Sequence, residues 1–310
     1  MCLPIILLRP PSWTQANKIF KRCLKMYYRY NSKGWGDEMG DTMLRLGVAG
    51  LGAIGLRVAR AVDQGDVPGI TLAAVSAQNR TLAAQRISEF KTPAPVMALA
   101  ELAKHCDIIV ECAPAAVFAE VAKPAILAGR IFIPLSVGAL LQHPDLEKAA
   151  QESGARIIVP TGAIIGLDTV RAMAVGEIHS VTLETRKPPG GLAGAPHLTE
   201  NKIDISELSK PLCVFEGTAR EAAIGFPANV NVAAALALAG FGPDRTQVQV
   251  WADPTIDRNI QAVTISSDSG EATMTMRNIP SDENPRTGRI VANSVIATLR
   301  RLTSPLVAGT

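Results

Sequence analysis

The stretch Leu44-Arg45-Leu46-Gly47-Val48-Ala49-Gly50-Leu51-Gly52-Ala53-Ile54-Gly55 decides the fold. An apolar run over 44–49 reads as a buried strand, and 54–63 reads as a helix with Leu56, Ala59 and Val62 on one face. Between them lies Gly-x-Gly-x-x-Gly, a weak pattern alone but an informative one where a strand ends and a helix opens. Gly50 permits the tight turn, Gly52 lets the backbone approach a pyrophosphate, and Gly55 allows the helix to pack closely on the strand. Ala53 and Ile54 begin the helix, so their N–H groups face the phosphates. The segment is therefore expected to hold a dinucleotide.

Similar units continue outward. A strand at 70–76 is followed by a helix at 81–88, and helices at 97–104, 116–128 and 144–153 alternate with strands at 107–112, 131–135 and 156–160. Short apolar strands alternating with helices predict a parallel sheet covered on both faces. Past Thr161 the pattern changes to a helix at 167–175 and alternating stretches at 177–186, 212–221, 247–252, 259–266 and 271–278. A helix over 228–238 interrupts them, announced by Gly225-Phe226-Pro227, and a last helix over 287–302 is expected to pack back on the first sheet. The expected class is α/β: a Rossmann-type doubly wound parallel sheet plus a second α+β domain with a mixed or antiparallel sheet. The dinucleotide-binding domain is expected at 44–161, completed by a helix at 287–303, with a substrate and dimerisation domain at 162–286.

Residues 1–43 are expected to be a poorly ordered extension. Residues 1–38 carry seven Lys/Arg against Asp37 and Glu38 and six of the thirteen aromatic side chains, so the rest of the chain is slightly acidic despite a formal net charge of +3. That balance argues against nucleic-acid binding by the body of the protein. No apolar run approaches the ~20 residues of a membrane span. The five cysteines are scattered without a Cys-x-x-Cys pair, which points to neither a metal site nor a disulfide framework. A reducing, cytoplasmic setting is the expectation.

At the ribose end, Ser76-Ala77-Gln78-Asn79-Arg80 offers no acid to accept from both ribose hydroxyls. A 2′-phosphate would meet no repulsion there, and Arg80 could neutralise it or simply open the next helix. The cofactor is expected to be NADP or NAD, with NADP slightly favoured.

Several blocks at consistent spacing resemble one family, the L-aspartate dehydrogenases. They are Glu111-Cys112-Ala113-Pro114, Ser136-Val137-Gly138-Ala139-Leu140, Thr161-Gly162-Ala163-Ile164-Ile165-Gly166-Leu167-Asp168, Thr185-Arg186-Lys187-Pro188-Pro189, Gly225-Phe226-Pro227-Ala228-Asn229-Val230-Asn231, Ala252-Asp253-Pro254 and Asn284-Pro285-Arg286-Thr287. The resemblance implies reversible, NAD(P)-dependent conversion of L-aspartate to oxaloacetate and ammonia through iminoaspartate, and a homodimer. It also implies cofactor contacts at Ala113, Pro114 and the backbone of Ala163, and a binding role for Asn231 toward nicotinamide or substrate. A small dicarboxylate needs cationic partners, for which Arg186 and Lys187 are the candidates, unless they form a solvated strand end. The resemblance places a general acid/base histidine at a position that here is Gln261. Glutamine hydrogen-bonds but does not titrate. His197, in a loop rich in Gly, Ala and Pro, is the substitute candidate, while Cys112 reads as inert packing. Two alternatives stay open: a reductase of another small imine or keto acid, and a catalytically weak dinucleotide-binding sensor or partner protein.

Overall fold

The computed structural model describes residues 43–227, 230–284 and 287–309. The expected extension up to residue 42, Ala228-Asn229 at the start of the helix expected at 228, and Pro285-Arg286 of the quoted block lie outside the described residues.

The first sheet has five parallel strands in the order β2-β1-β3-β4-β5. They are β1 (Leu44–Ala49), β2 (Ile70–Ser76), β3 (Ile108–Glu111), β4 (Ile131–Pro134) and β5 (Arg156–Ile157). Helices α1 (Ala53–Gln64), α2 (Arg80–Ile87), α3 (Leu102–His105), α4 (Phe118–Leu127), α5 (Val137–Leu140) and α6 (Asp145–Ser153) fill the crossovers. The buried side chains of β1 split between two apolar clusters: Leu46 and Val48 pack with Val58 and Val62 of α1, and Ala49 packs with Val121 and Ile126 of α4. Such coverage of both faces explains why these strands read as continuous apolar runs. The chain leaves β1 toward β2 on one side and returns to β3 on the other. A crevice therefore opens at the carboxyl ends of β1 and β3, the switch point where ligands of open α/β sheets bind.

The second sheet is mixed, in the order β10-β9-β6-β8-β7. It comprises β6 (Ile178–Lys187), β7 (Leu212–Thr218), β8 (Gln247–Ala252), β9 (Ile260–Ser267) and β10 (Gly270–Arg277). Helices α7 (Leu167–Met173), α8 (Pro196–Glu200), α9 (Ala219–Gly225) and α10 (Asn231–Leu236) belong to this half. Val181, Leu183, Val250, Val263 and Ile265 meet Ala222, Phe226, Leu236 and Val170 in one core. The final helix, α11 (Ile290–Thr303), buries Val295 and Leu299 among the side chains of β1 and α1.

The differences from expectation are local. The strand expected to reach 221 stops at Thr218, where Thr218 and Glu221 form a capping box and open α9. That Thr-x-x-Glu signal followed by alanines outweighs the alternating pattern. The strand expected over 156–160 pairs only at Arg156 and Ile157. Helix α10 passes directly into a wider turn over Ala237–Phe241 that is kinked at Gly240, whose φ of 169° and ψ of −25° are not helical. The short helix α5 in the Ser136–Leu140 block was not expected.

Leu299 is fully buried in the first sheet's core. Leu299→Ala is expected to cost about 2–5 kcal/mol in urea unfolding. A loss below about 1 kcal/mol would show that α11 does not belong to that core.

Candidate functional site

The glycine turn sits against the end of β3. Gly50 has φ +99°, and a Cβ there would lie 2.5 Å from the Cys112 carbonyl oxygen. A Cβ on residue 55 would run into the Gly50 carbonyl. Both glycines are demanded by close backbone packing. Gly52 differs: its φ of −72° suits any residue, and a Cβ there would meet nothing within 4 Å. The fold does not require glycine at 52. The open space before it, at the start of a 12-residue helix, fits a pyrophosphate. Ala53 and Ile54 precede the first intrahelical bond, from Leu56 N to Gly52 O at 2.9 Å, so their N–H groups lack helical acceptors.

A hollow of about 510 Å³ beside this turn is lined by residues including Gly50, Gly52, Asn79, Arg86, Ala113 and Pro114. Asn79 uses its side-chain oxygen to cap α2, accepting from Leu82 N at 2.9 Å. Arg80 is exposed and does not line the hollow. The guanidinium that does is Arg86, whose Nη1 donates to the Leu51 carbonyl at 2.7 Å and fixes a positive charge on the turn. Helical spacing carries position 86 back toward the turn, a consequence of α2's direction that composition at 76–80 did not reveal.

Glu111, at the end of β3, is fully buried. Its carboxylate accepts from Ala113 N at 2.9 Å, Ser136 N at 2.9 Å and Ser136 Oγ at 3.0 Å. Burial still pushes its pKa up, against these bonds. Burial also raises the Cys112 thiol, with the Glu111 charge adding to the effect. From Ser136 the chain turns into α5, where Gly138 N donates to Asn231 Oδ1 at 3.0 Å. Asn231 thus joins α10 to the edge of the first sheet.

The second sheet contributes one face. Thr185, Gln261 and Met276 lie opposite one another on β6, β9 and β10. One step further along, Asn278 N donates to Asn259 O at 2.9 Å, and Lys187 ends β6. Lys187 is 7% exposed, Gln261 4% and Asn278 3%. Asn278 Nδ2 donates to the Ala163 carbonyl at 3.0 Å, which ties the loop after β5 to this face. Asn278 Oδ1 and Gln261 Oε1 are buried acceptors without a hydrogen-bond partner among the described residues. Lys187 and Asn259 line a second hollow of about 690 Å³, with Gly191, Phe226, Asp257 and Arg258 among its other walls. Burial pushes the Lys187 ammonium down to about 8.

Arg186 points away from Lys187, because successive strand residues face opposite sides of a sheet. Its guanidinium lies 4.6 Å from the Trp251 ring centre and bonds Glu184 at 2.7 Å and Asp253 at 3.4 Å. The two cations expected together on one substrate are not brought together. His197 packs against Phe215 and Phe226, with ring centres 5.2 and 5.4 Å away. It lines a hollow with Glu200, Cys213 and Glu221, not the one that holds Lys187. Among the described residues no cluster of His, Cys, Asp and Glu is arranged to hold a metal, and no helix is long and apolar enough to cross a membrane.

Residues 168–302 match the family model described as aspartate dehydrogenase, C-terminal, and residues 50–160 match the NAD binding domain of homoserine dehydrogenase. The chain is 49% identical to the L-aspartate dehydrogenase of Bradyrhizobium diazoefficiens, over 88% of this chain and 97% of that protein. It is 50% identical to L-aspartate dehydrogenase 3 of Bordetella bronchiseptica, over 86% and 98% respectively. The crystal structure of aspartate dehydrogenase from Thermotoga maritima shares the fold with a TM-score of 0.66 at 24% identity, covering 86% of this chain and 99% of that one.

Gly52→Ala separates fold from binding. The melting temperature is expected to stay within about 1 °C of the parent, while dinucleotide affinity falls at least tenfold, about 1.4 kcal/mol. Unchanged affinity in a fluorescence titration would place the phosphates elsewhere.

Proposed function

The chain belongs to the L-aspartate dehydrogenase family, and from that membership we infer that it interconverts L-aspartate with oxaloacetate and ammonia through iminoaspartate, using a nicotinamide dinucleotide. The observation that carries the reading is near-full-length identity of about half to two L-aspartate dehydrogenases. The geometry supports it with a phosphate cradle at Gly50–Gly55 and a separate hollow that contains a buried cation. When bound, the dinucleotide supplies a hydride acceptor or donor at its nicotinamide ring.

The chain's own residues divide the remaining work. Gly50, Gly52, Ala53, Ile54 and Gly55 take the pyrophosphate, and Ala113, Pro114, the Ala163 backbone and Asn231 border the nicotinamide. Lys187 is the only buried Lys or Arg among the described residues, and it attracts a small dicarboxylate into the hollow. Arg258 at the wall is engaged by Asp257 through two bonds of 2.6 Å. Arg186 takes no part, since its partners are already on the opposite face. We also place the protein in the cytoplasm as a homodimer, which sedimentation would test directly.

The primary assay follows NAD(P)H oxidation with oxaloacetate plus ammonia beside a panel of other 2-keto acids. Oxidation is expected with oxaloacetate and to require ammonia. Preference for another keto acid would favour the reductase, and binding without turnover would favour the sensor. Gln261 is the residue that keeps both alternatives in view. Gln261→His is expected to raise turnover at least tenfold, within the usual range for general acid–base assistance. No gain would mean that position 261 does not face the reacting atoms.

For the cofactor, no acid stands at 76–80 and Arg86 lies in the adjoining hollow. NADPH is therefore expected to bind at least as tightly as NADH. A tenfold preference for NADH in calorimetry, about 1.4 kcal/mol, would overturn this.

A further inference from the structure

Beside β5, at the edge of the first sheet, lies a further hollow of about 810 Å³. It is larger than the hollows at the glycine turn and at Lys187 and shares no lining residue with either. Three elements far apart in sequence each bring an arginine to it: Arg156 on β5, Arg171 on α7 and Arg301 on α11. Apolar side chains form much of the remaining wall, Ile157, Val159, Leu238 and Leu302 among them. A space of this size suits a small organic molecule.

Guanidinium groups gathered around one hollow repel each other unless an anion stands between them. Elsewhere in the protein such anions are supplied by the chain. Six other arginines among the described residues, Arg45, Arg220 and Arg289 included, pair with carboxylates. Arg156, Arg171 and Arg301 make no ion pair and no side-chain hydrogen bond among the described residues. Asp168 is the one carboxylate side chain among the described lining residues, so cations outnumber anions around the hollow.

We propose that this hollow is a binding site for a small organic polyanion, a compact apolar body carrying two or more carboxylate or phosphate groups. The planar fork of donors on each guanidinium matches either oxyanion through two parallel bonds. The apolar wall accepts the body of the ligand. Beyond residue 38 the chain is slightly acidic, so the positive charge is local to the hollow, which favours a small ligand over a nucleic acid or a membrane. The site lies apart from both the glycine turn and Lys187, and the proposal does not depend on the function proposed above.

Benzene-1,3,5-tricarboxylate, three carboxylates on one apolar ring, is a suitable probe, with benzoate and inorganic pyrophosphate for comparison. Calorimetry on the full chain, with NADPH saturating to occupy the glycine turn, is expected to show one tricarboxylate bound per chain. Its affinity should exceed that of benzoate about tenfold or more and fall as salt rises. Arg171→Ser and Arg301→Ser are each expected to weaken it about tenfold. Both side chains are exposed, so the variants should melt with the parent. Independently of any variant, hydrogen exchange read by mass spectrometry should show protection by the probe at 156–161, 167–173 and 298–309. Pyrophosphate binding with the same arginine dependence would support the site and assign it to phosphates. Equal affinity in the arginine variants, benzoate binding as tightly as the tricarboxylate, or protection confined to 187–196 would overturn the proposal. So would displacement of the probe by NADPH, or no binding of either polyanion. Turnover of aspartate, tested separately, stands or falls without regard to these results.

Discussion

The Glu111 carboxylate is a buried anion at the end of a central parallel strand, and the geometry of the crevice depends on how it is satisfied. Removing an ionised carboxylate from water costs several kcal/mol. Three donors answer it, from the Ala113 backbone, the Ser136 backbone and the Ser136 hydroxyl. Charge-assisted bonds contribute about 1.5–3 kcal/mol each. Those bonds define where two loops run. One carries Cys112, Ala113 and Pro114 past the glycine turn, and the other starts α5 so that Gly138 N meets Asn231 Oδ1. A single buried charge thereby sets the distance between the glycine cradle and the helix that leads into the second sheet.

The second constraint is the period of two along a strand. It sends Lys187 and Thr185 to the covered face of the mixed sheet and Arg186 and Glu184 to the other. A pair of adjacent cations becomes one member of a hollow and one member of an Arg–Glu–Asp–Trp cluster. Cross-strand register then brings Gln261, Asn259 and Asn278 beside Lys187, although they lie far apart in sequence. Asn278 also links this face to Ala163, so the loop after β5 is held from the second sheet.

The repeating strand–helix units and the glycine turn were legible because each is a local pattern. The strands at 44–49, 70–76 and 247–252 match to the residue. Their boundaries are marked by glycine, proline or an abrupt loss of apolar character. What stayed hidden depends on contacts between distant segments. Arg86 rather than Arg80 reaches the hollow beside the glycine turn because a helix returns its later turn to that loop. His197 stands in a glycine-rich stretch of sequence, yet its ring packs against Phe215 and Phe226 and faces a different hollow from Lys187. Glu111 stood in a quoted block without a role, since burial and three donors cannot be read from a four-residue string.

The central claim is that the glycine cradle and the Lys187 hollow serve one reaction, in which a substrate's Cα hydrogen passes directly to the nicotinamide. Incubation with L-aspartate deuterated at Cα and an oxidised nicotinamide dinucleotide tests it most directly. The account predicts reduced cofactor carrying one deuterium on the nicotinamide ring and a slowed rate relative to unlabelled aspartate. Reduced cofactor without deuterium, with the label released to water, would contradict it.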